Sequence, residues 1–136
     1  MIGLDTNVIV RYAVRDDPEQ TAQADALFER LTARQPGFVA TVALAETWWV
    51  LRQVYRLDRA AVIAFIRQLL ASDELRVQDL AAARRALALA ESGADFADAL
   101  IAQAAEQAGC ARVASFDQRA VRVGMTAVAD LIAGGT

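Results

Sequence analysis

The chain contains no histidine and no lysine. Without imidazole there can be no Ser-His-Asp triad, no H-E-x-x-H zinc site, no zinc finger that needs histidine, and no histidine-based acid–base ribonuclease chemistry. A single cysteine, Cys110, cannot by itself form an intrachain disulfide or a zinc site. Its place beside Gly109, after a helical stretch, reads as a small buried hydrophobe. With no disulfide framework, a reducing cytoplasm is the expected location. Long apolar runs are also missing. The most apolar window, Phe38 to Leu51, is too short to span a bilayer and carries Glu46. Asp5 interrupts the N-terminus before a signal segment could form, so no membrane association is expected.

What is present describes one compact domain. The 136 residues are 56% hydrophobic and 23% charged, enough apolar content for a real core. The domain is expected over residues 1–132, with a flexible C-terminal tail at 133–136. A net charge of −3 weakens a simple electrostatic reading as a nucleic-acid binder. It does not exclude one, because a cation bound among carboxylates would offset part of that count. All 14 basic residues are arginine.

Short apolar stretches alternate with helical ones. Strands are predicted at Met1 to Leu4, Phe38 to Ala40, Leu75 to Val77 and Arg112 to Phe116, with an edge strand at Thr126 to Val128. Thr6 or Asn7 is expected to cap a helix to Val14, and Asp17-Pro18-Glu19 to start another. Thr41 opens a helix to about Tyr55, and Leu57-Asp58 restarts it towards Ala71. Further helices are predicted from Leu80 to Glu91, from Asp95 to Gly109, and as a short turn over Gln118 to Val121. The alternation implies an α/β fold with a mainly parallel central sheet of four to five short strands.

Four carboxylates interrupt apolar surroundings: Asp5, Glu46, Asp98 and Asp117. Burying an ionised carboxylate alone is costly, and the usual remedies are a paired cation, a shifted pKa or a metal ion. In open parallel sheets, functional groups gather outside the carboxyl ends of the strands. Asp5 and Asp117 follow strands, while Asp98 and Glu46 lie early in helices. Oxygen ligands of this kind favour Mg²⁺ or Mn²⁺ over zinc or copper. Other roles stay open: Asp5 and Asp117 as turn residues, Asp95 with Asp98 as a helix start of capping-box type, and Glu46 as the partner of Arg52 or Arg56.

The segments Met1-Ile2-Gly3-Leu4-Asp5-Thr6-Asn7, Ala45-Glu46, Gly93-Ala94-Asp95-Phe96-Ala97-Asp98-Ala99-Leu100 and Ser115-Phe116-Asp117 together resemble the PIN-domain ribonucleases. Within that family the chain resembles the VapC group, toxins of bacterial type II toxin–antitoxin pairs, and the likeness spans essentially the whole chain. The resemblance implies a three-layer α/β/α fold and a metal-binding active site at Asp5, Glu46, Asp98 and Asp117. It assigns supporting roles to Thr6 or Asn7, which orient Asp5, to Asp95, and to Ser115, where relatives often carry threonine. The implied activity is Mg²⁺- or Mn²⁺-dependent hydrolysis of RNA, leaving a 5′-phosphate and a 3′-hydroxyl. Implied partners are a second copy of the chain and a VapB-type antitoxin whose C-terminal segment covers the acidic site.

RNA must also be held, and Arg52 with Arg56 share a helical face by their spacing. Adjacent Trp48 and Trp49 point about 100° apart on a helix, so both cannot face one core. The competing reading is a non-catalytic binding module of the same fold. A phosphoacceptor receiver would need a lysine, which is missing. A haloacid-dehalogenase-type phosphatase would need an aspartate where Asn7 stands.

Overall fold

Aspartates set most of the helix starts in this chain. The computed structural model describes residues 1–134. Asp5 itself caps α1 (Thr6–Val14), accepting the Thr6 N–H at 2.8 Å. The cap is therefore one residue earlier than the sequence suggested, because Thr6 turns inward and is buried. Asp17 caps α2 (Pro18–Arg30), with proline at its first position, where the missing N–H costs nothing. Asp58 caps α4 (Arg59–Ala71) and Asp95 caps α6 (Phe96–Gln107), each through its carboxylate. Between them lie α3 (Thr41–Trp49) and α5 (Leu80–Glu91).

The helix expected to run from Thr41 to Tyr55 changes character midway. After Trp49 the chain widens into a π-helical turn at Val50–Val54, closed by the Tyr55 N–H on the Val50 carbonyl. The run Trp48-Trp49-Val50-Leu51 crowds bulky and β-branched side chains into one turn, and the wider turn relieves that crowding.

Three strands form a parallel sheet in the order β1 (Ile2–Gly3), β2 (Gly37–Val39), β3 (Leu75–Val77). Gly37 lies where a Cβ would come within 2.9 Å of Leu31 and 3.0 Å of Leu4, so its lack of a side chain lets the central strand settle into the core. A second parallel pair joins β4 (Ala114–Ser115) to β5 (Thr126–Ala127), flanking α7 (Gln118–Arg122). The expected five strands are present and pair in parallel, but divide three and two. The β4 and β5 residues are all small, so little apolar area would be gained by docking them on the larger sheet.

Leu4, just after β1, and Val39 and Leu75 from β2 and β3 pack with Ile9, Leu44, Trp48, Leu51, Val62, Ile66, Leu87 and Phe96 from the helical segments. This is an α/β architecture of the three-layer α/β/α class. Two local expectations change. Cys110 is exposed, because it follows the turn at Gly109 rather than packing under the helix. A helix absent from the sequence reading, α8 (Val128–Gly134), follows β5. Ala133 and Gly134, the first half of the expected tail, close that helix, and 135–136 lie outside the described residues. Among the described residues, no helix is long and apolar enough to cross a membrane.

Candidate functional site

The chain leaves β1 through buried Leu4 and turns outward at Asp5. Capping α1 uses Asp5 Oδ1 and leaves Oδ2 without a hydrogen-bond partner among the described residues. Thr6 ties this acid to a distant one: its hydroxyl donates to Glu46 Oε1 on α3 at 3.1 Å. A single buried threonine thus joins Asp5, its chain neighbour, to Glu46, which lies 40 residues beyond the threonine. Asn7 is exposed and lines a cavity with Arg11, Gln20 and Leu27.

A second group forms at the start of α6. Asp95 Oδ1 accepts the Asp98 N–H at 2.9 Å, and its Oδ2 accepts the Trp48 indole N–H at 3.0 Å. Both Asp95 oxygens are engaged, so this side chain caps and braces the helix start. Asp98 is half-buried, and its carboxyl is pushed above the usual range, first by burial and then by the charges of Asp95 and Asp117. Asp117 caps α7 through the Arg119 N–H, while its own N–H donates to Ser115 Oγ at 2.9 Å. Ser115 therefore shapes the turn that presents Asp117.

The apolar neighbours of the four acids suggested burial, yet Asp5, Glu46 and Asp117 are exposed. Around Glu46 the reason is explicit. Val42 and Trp49, one turn to either side, are themselves 66% and 57% exposed, so the outer face of α3 is apolar and open. Of the adjacent tryptophans, Trp48 enters the core and Trp49 stays outside.

Among the described residues the ion pairs are Arg11–Asp16, Arg15–Asp25 and Arg67–Glu91, so none of the four acids is neutralised by an arginine. Nor do three or more metal-ligating side chains converge among the described residues. Hydrogen bonds link Asp5, Thr6 and Glu46, while Asp98 is linked to Asp95 by a hydrogen bond and to Asp117 by charge repulsion. No all-protein metal cage is formed. Mg²⁺, however, is usually bound by one or two carboxylates, with waters and substrate phosphates completing its shell. Unpaired, oxygen-only donors at Asp98 and Asp117, already repelling each other, fit an ion of that class.

Beside Asp98 lies a cleft of about 190 Å³, lined by Trp48, Arg52, Gln53, Arg59, Asp95 and Arg119, among others. Arg52 reaches it from the π-helical turn. Arg56 does not line the cleft; it follows the turn in a left-handed conformation (φ 55°), so the two arginines do not share an α-helical face. The sequence reading passed over Arg59. A detectable signal was present: a cation in the first turn of a helix opposes the macrodipole and calls for another reason to be there. That reason is structural, since Arg59 donates to the carbonyls of Ala90 and Ala94.

A family model described as the PIN domain matches residues 2–125. No curated protein matches the chain.

Proposed function

The chain belongs to the PIN-domain family, whose members are generally nucleases, and from that premise we propose that it is a Mg²⁺- or Mn²⁺-dependent endoribonuclease. We further propose that it acts as the VapC-type toxin of a type II toxin–antitoxin pair in the cytoplasm. The observation that carries the catalytic reading is the uncompensated acidity at the head of α6. Asp98 is half-buried, flanked by Asp95 and Asp117, and unpaired with any arginine among the described residues.

Asp5 and Asp98 would hold the ion, directly or through water, with Glu46 and Asp117 as catalytic partners. When bound, the ion supplies an acidified water for in-line attack and positive charge for the leaving oxygen. Thr6 keeps Glu46 and Asp5 in register, because its amide and hydroxyl hold one oxygen of each and leave the other oxygen to act. Asp95 keeps the first turn of α6 closed, so that Asp98 stays at the cleft.

The test is direct. The purified protein should cut single-stranded RNA in Mg²⁺ or Mn²⁺, stop in chelator, and leave 5′-phosphate ends that can be ligated and sequenced. Folded protein that leaves RNA intact at every metal concentration would remove the proposal. One observation favours the second reading, a PIN-fold module that acts only by partner contact: among the described residues no three metal-ligating side chains are placed to hold a metal ion together. The same assay separates the two.

Partner binding has its own support. Val42 and Trp49 flank Glu46 on an open helix face, offering apolar contact around a negative charge. A VapB-type antitoxin segment with an apolar side chain and a basic residue matches that pattern. Trp49→Ala should weaken binding of the cognate antitoxin's C-terminal peptide by about tenfold or more, read by calorimetry, since exposed tryptophans are frequent interface anchors. Unchanged affinity would take the antitoxin off this face. The homodimer is part of the same proposal, and a monomeric elution profile at high concentration counts against it.

A further inference from the structure

The cleft beside Asp98 concentrates three guanidinium groups with no carboxylate paired to any of them among the described residues. Two are held rigidly. Arg52 donates to the Leu57 carbonyl at 2.8 Å and lies 6.0 Å from the Trp48 ring centroid. Arg59 donates to the Ala90 and Ala94 carbonyls and lies 5.6 Å from the same ring. Backbone carbonyls satisfy some of the N–H donors without cancelling the charge, and each guanidinium has five donors in a fixed fork. Arg119 reaches the cleft from α7, two residues after Asp117, and is exposed. A cation fixed by carbonyls and an aromatic face loses little conformational entropy when an anion arrives.

We propose that this cleft seats a backbone phosphate of single-stranded RNA next to the scissile one, with Arg52 and Arg119 contacting it and Arg59 positioning the cleft wall. The assignment rests on the ribonuclease reading and deepens it by naming how the strand is held. The cleft's opening beside Asp98 ties binding to chemistry: a strand anchored there passes its next phosphodiester over the acidic group. Three arginines outnumber the two aspartates of the lining, so the cleft accepts an anion despite the chain's net negative charge. Its guanidinium donors suit phosphate oxygens, a contact that carries no sequence information.

Equilibrium binding of a fluorescently labelled single-stranded RNA oligonucleotide, measured by anisotropy in chelator over a range of salt, tests this apart from cleavage. Arg119→Gln is the first variant, because its side chain is exposed and its loss leaves the fold alone. Arg52→Gln is the second, and Arg30→Gln on α2, outside the cleft, is the control. Each cleft variant should bind several-fold more weakly, by a similar factor for oligonucleotides of different sequence. Each should also lower the magnitude of the log-affinity against log-salt slope by about 0.7, the loss of one phosphate contact on a single strand. Wild-type affinity and slope in both cleft variants, in a protein that still cuts RNA, would overturn the cleft while sparing the ribonuclease reading. If instead a polyglutamate peptide binds the wild type, is lost in Arg119→Gln, and RNA binding is unchanged, the cleft belongs to an acidic protein partner and the proposal fails.

Discussion

Asp98→Asn should reduce metal-dependent RNA cleavage by about 10³-fold or more, corresponding to the several kcal/mol that an ion-held carboxylate contributes to transition-state charge. The same substitution should make the metal-free protein more stable at neutral pH. Burial raises the Asp98 carboxyl above its unfolded value, and the charges of Asp95 and Asp117 raise it further. A carboxyl raised on folding costs the native state nothing while it is protonated, at pH below its unfolded value. That cost builds as pH rises past the unfolded value and is complete above the elevated native value. The helix dipole favours an acid at this position, but the upward direction of the shift means that burial and repulsion prevail. The melting temperature of the Asn variant in chelator should therefore exceed the parent's near neutrality, and the gap should close as pH falls through the carboxylate range. Added Mn²⁺ should raise the melting temperature of the parent and leave the variant nearly unmoved, since only a ligand bound to the native state stabilises it. A variant that cuts RNA at the parental rate, or that melts lower than the parent at neutral pH, would show that Asp98 is an ordinary helix-start residue.

Phe96→Ala carries the largest expected cost to folding. Phe96 is fully buried in the first turn of α6, with its ring 5.7 Å from that of Trp48 and tilted by 50°. Removing a buried phenyl ring costs about 3–5 kcal/mol through lost transfer energy and the cavity left behind. Against a typical total of about 5–15 kcal/mol, that is a large share. The melting temperature should fall by roughly 10 °C or more in a circular-dichroism melt. The damage reaches the site along a short path. Trp48 packs on Phe96 and donates to Asp95, and Asp95 caps the turn that carries Asp98. Phe96→Leu refills most of the volume and should recover a good part of both stability and cleavage. A Phe96→Ala protein melting within a degree or two of the parent would mean that the start of α6 is held by its cap alone.

Several features were legible because their causes are local. Asp17-Pro18, Asp58 and Asp95 each act within three residues of themselves, so their helix starts could be read from the chain. The positions of Asp5 after β1, Asp98 in the first turn of α6 and Asp117 after β4 follow from the same short-range rules. Other features depend on neighbours far along the chain. Apolar flanks suggested a buried Glu46, but burial depends on what covers a helix face, and nothing covers Val42 or Trp49. Helical geometry separates Trp48 from Trp49 without saying which enters the core. The π-helical turn removed the shared face of Arg52 and Arg56, and Arg59 gained its role from carbonyls more than thirty residues away.

By itself the chain determined an α/β protein with parallel strands, a chemistry that excludes histidine, and acids at strand ends and helix starts. Those properties follow from composition and from interactions spanning a few residues. Only the tertiary structure decided that Thr6 links Asp5 to Glu46, that Asp95 and Asp117 act on Asp98, and that a cleft of arginines lies beside Asp98. Electrostatic fields and burial are sums over every nearby atom, and which atoms are near is set by packing rather than by order along the chain.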